Sequence, residues 1–179
     1  MSRFIAFLRA VNVGGRTVKM DELRVSFEAL GFTKVETFIA SGNVIFDSRA
    51  RDDVALQRKI EVQLQKSLGY EVKTFVRSDA EVAAVAQYQP FGAELMKSMV
   101  ALNVAFLAEP PSAEAQQALH KLKTDIDEFH VHDREIYWLC RKKQSESTFS
   151  NAVLEKTLKL RATLRGMNTL LKLAAKYPV

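Results

Sequence analysis

The sequence predicts an α+β protein of two units in tandem, each with the element order β-α-β-β-α-β. Three observations lead to this fold class. Short apolar runs typical of buried strands alternate with segments whose apolar residues recur at helical spacing. Glycines follow both helix patterns of the first half, where a helix end favours positive φ. The same order recurs after a turn-rich break at residues 88–92, without detectable sequence repetition.

The first half supplies four strand patterns and two amphipathic helix patterns. Its predicted strands are residues 4–8, 35–39, 44–46 and 71–76. Its helix patterns place apolar side chains at Met20, Leu23, Phe27 and Leu30, and then at Leu56, Ile60, Leu64 and Leu68. Gly31 and Gly69 close these helices. This order is the split βαβ, or ferredoxin-like, plan.

The second half repeats the plan after an additional short helix. Ser78 and Glu81 form a capping-box pattern that opens this helix, which runs to about residue 87. The later predicted elements are a strand at 102–107, a helix at 112–122, a hairpin at 128–132 and 136–140, a helix from Ser150 or Asn151 to 158, a strand at 161–164 and a helix at 167–176. We therefore expect ferredoxin-like subdomains at residues 1–88 and 89–179, the second ending in a basic helix.

Composition is typical of a globular protein. The chain has 179 residues, of which 47% are hydrophobic and 26% charged. No apolar run approaches the roughly 20 residues that cross a bilayer, and the start lacks a signal-peptide pattern. Cys140 is the single cysteine, which excludes an intrachain disulfide. We expect a cytoplasmic protein without a membrane partner.

Positive charge is concentrated in the last quarter of the chain. From Cys140 onward there are nine Lys or Arg residues against two acidic residues, whereas the net charge of the whole chain is +5. Such a local excess attracts anions or nucleic acid. A solvated helical surface explains the same lysines equally well.

Topology predicts a candidate site at one edge of the first sheet. The first two strands are parallel in this plan, so the loop at 9–19 and the turn at 41–43 leave the same edge, to which the corner at 68–70 also returns. This edge carries cations, amides, a hydroxyl and glycines, which are groups that bind a phosphate or a carboxylate. The candidate residues are Arg9, Asn12, Gly14, Gly15, Arg16, Lys19, Ser41 and Asn43. Ordinary turn chemistry is the alternative.

A second candidate cluster precedes the last predicted helix. Arg161, Arg165 and Asn168 lie where a helix N-terminus could hold an anion, although capping alone explains Asn168. Neither a Walker A sequence nor a dinucleotide fingerprint is present, and no cofactor is assigned. His130 and His132 share a strand face, but a solvent-facing histidine pair is commoner than a metal site. For Cys140 we favour a buried position over a reactive thiolate.

Several of these motifs also carry a family resemblance. They are residues 8–15 (LRAVNVGG), Met20, Glu22-Leu23, Gly31-Phe32, 41–44 (SGNV), 147–151 (STFSN), 154–156 (LEK) and 162–169 (ATLRGMNT). Together they resemble the bacterial domain of unknown function 1697 family. The resemblance implies a tandem ferredoxin-like architecture and brings no activity with it. Ala10, Leu164, Gly166 and Met167 depart from the pattern.

Three functions follow as hypotheses. The first is binding of an anionic ligand, a nucleotide or nucleic acid, at the edge formed by 9–19 and 41–43, with Arg161 and Arg165 contributing. The second is an enzyme acting on a phosphorylated or nucleotide substrate there, for which Glu71 is the nearest carboxylate. The third is a homodimeric interaction module joined through an exposed sheet edge. RNA binding by the sheet is disfavoured because residues 42–46 lack spaced surface aromatics.

Overall fold

The computed structural model describes residues 1–11, 15, 17–39 and 42–179. The chain forms two compact units. The first unit comprises Met1–Ala86 together with Leu171–Val179, and the second comprises Gln87–Leu170. The last nine residues, which the sequence division assigned to the second subdomain, thus group with the first unit.

The first unit follows the predicted element order. Its elements are β1 (Ser2–Leu8), α1 (Met20–Glu28), β2 (Thr33–Thr37), β3 (Asn43–Ser48), α2 (Asp53–Leu68) and β4 (Thr74–Ser78), followed by α3 (Asp79–Gln87). The strands lie in the order β2-β3-β1-β4, and every neighbouring pair is antiparallel. Because β3 is antiparallel to both β1 and β2, those two strands run parallel, as the ferredoxin-like plan requires.

The core of this unit lies between one face of the sheet and helices α1 and α2. Leu23 and Phe27 of α1 are fully buried, and the ring of Phe46 on β3 lies 5.5 Å from that of Phe27. The helical spacing therefore identified the buried face correctly. Met20 is the exception, because it stands at the start of α1 and is 50% exposed.

The second unit has the same topology. Its elements are α4 (Ala93–Ser98), β5 (Ala101–Phe106), α5 (Ala113–His120), β6 (Asp127–His132), β7 (Glu135–Cys140), α6 (Asn151–Leu158) and β8 (Thr163–Gly166). The last helix, α7 (Met167–Lys176), begins in this unit, and its residues from Leu171 onward belong to the first unit. The strand order is β6-β7-β5-β8, again antiparallel throughout. The predicted α+β class with two tandem ferredoxin-like units and extra helices is confirmed.

Two strands begin later than predicted, and in both cases a side chain from the preceding helix explains the shift. The backbone N–H of Thr74 donates to Glu61 of α2 at 3.2 Å, and Lys73 forms an ion pair with the same carboxylate at 3.3 Å. The N–H of Ala162 donates to Glu155 of α6 at 2.9 Å. These bonds hold the chain at or just before the start of each strand against a helix, and β4 begins at Thr74 and β8 at Thr163.

Helix α4 is absent from the sequence prediction. It is six residues long and buries none of its side chains, so it has no apolar periodicity to detect. Among the described residues, no helix is long and apolar enough to cross a membrane.

Candidate functional site

Three chain segments meet at one edge of the first sheet. The N–H of Leu8, at the end of β1, donates to the carbonyl of Gly42 at 2.8 Å. The N–H of Arg9 donates to the carbonyl of Lys73 at 2.9 Å, and the hydroxyl of Tyr70 donates to the carbonyl of Val11 at 3.0 Å. The loop after β1, the turn before β3 and the corner after α2 are therefore adjacent, as the topology predicted.

The predicted site residues have different environments at this edge. Arg9 is half-buried, whereas Gly15 and Lys19 are exposed. Gly15 has φ +79°, a conformation that L side chains adopt at a cost, and no described residue lies within 4 Å of the position that a Cβ would take. Asn12, Gly14, Arg16 and Ser41 lie outside the described residues.

The side chain of Asn43 forms hydrogen bonds within the hairpin between β2 and β3. It is 3% exposed, and its amide nitrogen donates to the carbonyls of Phe38 at 3.0 Å and Ile39 at 3.3 Å. The N–H of Phe38 in turn donates to the carbonyl of Asn43 at 3.0 Å. Ile39 has φ +46°, an unfavourable value for a β-branched residue that these bonds help to hold. The turn-closing alternative thus accounts for the side chain of Asn43.

A groove of about 700 Å³ opens beside the loop, between α1 and the end of α2. Its apolar wall consists of Val18, Val25, Leu68 and Tyr70. Val25 is two residues from Leu23 and from Phe27, so it projects away from the buried face of α1 and is 59% exposed. Tyr70 belongs both to this wall and to the loop contact at Val11, which makes the groove continuous with the loop.

The polar part of the groove carries negative charge. Asp21 and Glu22, in the first turn of α1, line it together with the hydroxyl groups of Thr17, Ser26 and Ser67. Glu22 accepts from the N–H of Lys19 at 3.3 Å. The carboxylates offset the positive end of the α1 dipole, so the N-terminus of that helix does not attract an anion. Arg9 and Lys19, which lie outside the groove lining, contribute positive charge at this edge.

The sequence predicted the candidate site at the sheet edge, but it did not predict the groove beside it. The available signal was Val25, an apolar residue off the helical stripe that Leu23 and Phe27 define. Val25 lines a groove only because Leu68 and Tyr70 lie opposite it. These two residues are distant from Val25 in sequence and are brought there by the packing of α2.

The second predicted cluster lies around β8. Arg161 and Asn168 are exposed, whereas Arg165 is partly buried and donates to the hydroxyl of Thr163 at 2.7 Å and to the carbonyl of Leu164 at 2.8 Å. Burial lowers the pKa of Arg165 to about 10, so the side chain still carries its charge at neutral pH. The structure therefore gives Arg165 local bonding partners within its own strand.

The motif at 147–151 is explained by folding contacts. Ser147 donates its hydroxyl to the Asp127 carboxylate at 2.9 Å, and the ring of Phe149 packs 4.8 Å from that of Trp138. Ser150 accepts from the N–H of Val153 at 3.3 Å, which confirms the predicted cap of α6. The amide nitrogen of Asn151 donates to the carbonyl of Ala162 at 2.9 Å and so ties α6 to the chain before β8.

The histidine pair is covered by an aromatic side chain. Tyr88 places its hydroxyl 2.8 Å from Nε2 of His130 and stacks on His132 with the ring centroids 4.0 Å apart. Burial, and then the neighbouring His132 and His120, lower the pKa of His130. The described ranges contain no group of three or more side chains that could hold a metal ion.

Cys140 is fully buried in the core of the second unit, as predicted. Burial raises the pKa of its thiol, which opposes formation of a thiolate. Glu71, the carboxylate considered for catalysis, is exposed and follows Tyr70 at the sheet edge.

The fold and the groove thus define a tandem ferredoxin-like α+β protein with a concave surface at one sheet edge. Residues 1–137 match the model of a family described as "Protein of unknown function (DUF1697)", and the chain belongs to this family. The matched range includes the edge and the groove, and the motifs at 147–169 lie beyond it.

A solved structure is similar over nearly the whole chain. The conserved bacterial protein SP0830 from Streptococcus pneumoniae superposes with a TM-score of 0.72 and 23% sequence identity, over 97% of each chain. At this identity the likeness supports the fold alone. A search of curated proteins found no match.

Proposed function

We propose that the first unit binds a small anionic ligand of the phosphate class at the edge formed by the loop at 9–19 and the turn at 41–43. The observation that carries this proposal is the convergence of that loop with Gly42 and Tyr70, beside a groove of about 700 Å³. Small-molecule sites commonly occupy clefts of roughly 300–1,000 Å³.

The residue types at the edge favour an anion. Arg9 is half-buried there, and a guanidinium in such a position binds phosphate or carboxylate oxygens in pairs. Lys19 adds a second, exposed cation at the end of the same loop. Gly15 adds backbone at positive φ, and a Cβ there would meet none of the described residues within 4 Å.

A small ligand fits this edge better than nucleic acid. Asp21 and Glu22 stand in the groove beside the loop and would repel a continuous phosphate backbone. The apolar residues Val44, Ile45 and Phe46 of β3 are buried, so they offer no stacking surface for bases.

A binding role is also favoured over an enzymatic one. All three histidines and the single cysteine lie outside the loop and groove, at residues 120, 130, 132 and 140. The edge therefore lacks the side chains that most often act as general base or nucleophile near neutral pH.

The test is a thermal-shift titration with inorganic phosphate, nucleoside phosphates and a short oligonucleotide at two salt concentrations. A ligand at 100 times its Kd stabilises by about 2.7 kcal/mol, which corresponds to roughly 5–10 °C for a chain of this size. Arg9→Ala and Lys19→Ala should reduce the shift.

Arg51→Ala is the matched control. Arg51 is an exposed cation after the far end of β3, at the opposite edge of the sheet, and its removal changes the net charge equally. The proposal fails if no small anion stabilises the wild type, or if Arg51→Ala weakens binding as much as Arg9→Ala. Stabilisation by the oligonucleotide alone, lost at high salt, would favour nucleic acid instead.

A further inference from the structure

We infer that the groove between α1 and the end of α2 holds the nucleoside part of a nucleoside phosphate, whose phosphate lies at the loop after β1. This inference rests on the proposed function and names the ligand class of the same site. It is based on the chemistry of the two adjoining regions: the loop carries cations, whereas the groove is lined by apolar side chains and carboxylates.

Tyr70 connects the two parts. Its hydroxyl donates to the carbonyl of Val11 in the loop at 3.0 Å, and its side chain also lines the groove. A ligand anchored by its phosphate near Arg9 would therefore extend directly along the groove wall. A free phosphate ion would leave this space of about 700 Å³ unfilled.

The apolar wall suits a flat, weakly polar group. Val25 is 59% exposed, although valine usually lies inside a protein, and Leu68 and Tyr70 continue the same surface. A base laid against this wall would remove apolar area from water, the main favourable term for such contacts. The surface thus recognises more than charge.

The acidic side chains select a part of the ligand that donates hydrogen bonds. The Asp21 side chain is 87% exposed, and its contact with Arg24 at 3.4 Å leaves it open to a ligand. A carboxylate accepts hydrogen bonds and repels phosphate, so the portion in the groove must be uncharged and rich in donors. Sugar hydroxyls and the amino group of a base meet this requirement, whereas an acyl chain or a second phosphate does not.

The experiment compares the Kd of AMP, CMP and GMP with those of ribose 5-phosphate and inorganic phosphate, by calorimetry or thermal shift. We expect at least one nucleoside monophosphate to bind tenfold or more tightly than ribose 5-phosphate. Val25→Trp, which fills the groove, should abolish this difference and leave phosphate binding unchanged.

Val54→Trp is the matched control, because Val54 is 52% exposed on α2 and lies outside the groove lining. Asp21→Asn is a second variant that should weaken the nucleoside phosphate and leave inorganic phosphate unaffected or tighter. If Val25→Trp does not fold, Val25→Ala tests the same wall, because it removes most of the apolar surface that Val25 contributes to the groove.

The outcomes separate this inference from the proposed function. If phosphate and all nucleoside phosphates bind equally, or if Val25→Trp and Val54→Trp behave alike, the inference is wrong and anion binding at the edge stands. If no anion binds, both proposals fail. Tight nucleoside phosphate binding that Val25→Trp removes supports the inference.

Discussion

Replacing Asp127 by alanine tests which contacts hold the second unit together. Asp127 begins β6, is 1% exposed, and accepts hydrogen bonds from side chains on different segments. The indole N–H of Trp138 and the hydroxyls of Ser147 and Thr124 each donate to it at 2.9 Å. The carboxylate thus joins β7 and the segment before α6 to the start of β6.

The expected loss in the free energy of unfolding depends on whether each hydrogen-bond donor finds another acceptor once the carboxylate is removed. Trp138 is 2% exposed, so its indole N–H has no access to water and stays unsatisfied, at about 1–3 kcal/mol. Ser147 is half-buried and Thr124 is exposed, so both hydroxyls regain partners in water. Losing their bonds to a charged acceptor adds about 1–2 kcal/mol together. We expect Asp127→Ala to lower the free energy of unfolding by about 2–5 kcal/mol.

Urea unfolding followed by the fluorescence of Trp138, the single tryptophan, measures this loss within the second unit. Asp125→Ala is the control, because Asp125 is exposed and its contact with Arg141 uses the backbone carbonyl, which alanine retains. It should change the free energy by less than about 0.5 kcal/mol. If the two variants unfold at the same urea concentration, the Asp127 network does not stabilise the unit as argued.

Two further predictions concern a titratable group and a helix end. The lowered pKa of His130, beside His132 and His120, means that the folded protein binds that proton less tightly than the unfolded chain. The free energy of unfolding should therefore fall as the pH drops below 6.5, the ordinary pKa of histidine. In urea titrations at several pH values, His130→Gln should show a smaller fall than the wild type. An equal dependence on pH in the two proteins would contradict this prediction. Gly69→Ala, at φ +83°, should cost about 1 kcal/mol through backbone strain, measured by urea unfolding. Gly92→Ala, at φ −63° and equally open, should cost less.

The sequence predicted the fold because its main signals are local. The apolar runs at 4–8 and 102–107 are readable wherever they pair, and Gly69 marks the end of α2 through its own φ of +83°. The starts of β4 and β8 were not predictable in this way. They depend on backbone hydrogen bonds that the carboxylates of Glu61 and Glu155 accept, and these contacts exist only after the helices have packed.

The candidate site was predicted in part for the same reason. Topology alone brings the end of β1 and the start of β3 to one edge, so the meeting of Leu8 with Gly42 followed from element order. The groove required the position of Val25 relative to Leu68 and Tyr70, which depends on how α1 lies against α2. Spacing along α1 shows that Val25 leaves the buried stripe, but it does not show what stands opposite.

Folding contacts explain the motif at 147–151 more fully than the motifs at the first sheet edge. Ser147, Phe149 and Asn151 are all engaged in contacts that build the second unit, so substitutions there should act first on stability. At the first edge, folding uses the backbone groups of Leu8 and Arg9 and the side chain of Asn43. Those backbone bonds persist in Arg9→Ala. Changes at Asn43 and in the 147–151 motif therefore act on folding contacts before they act on ligand binding.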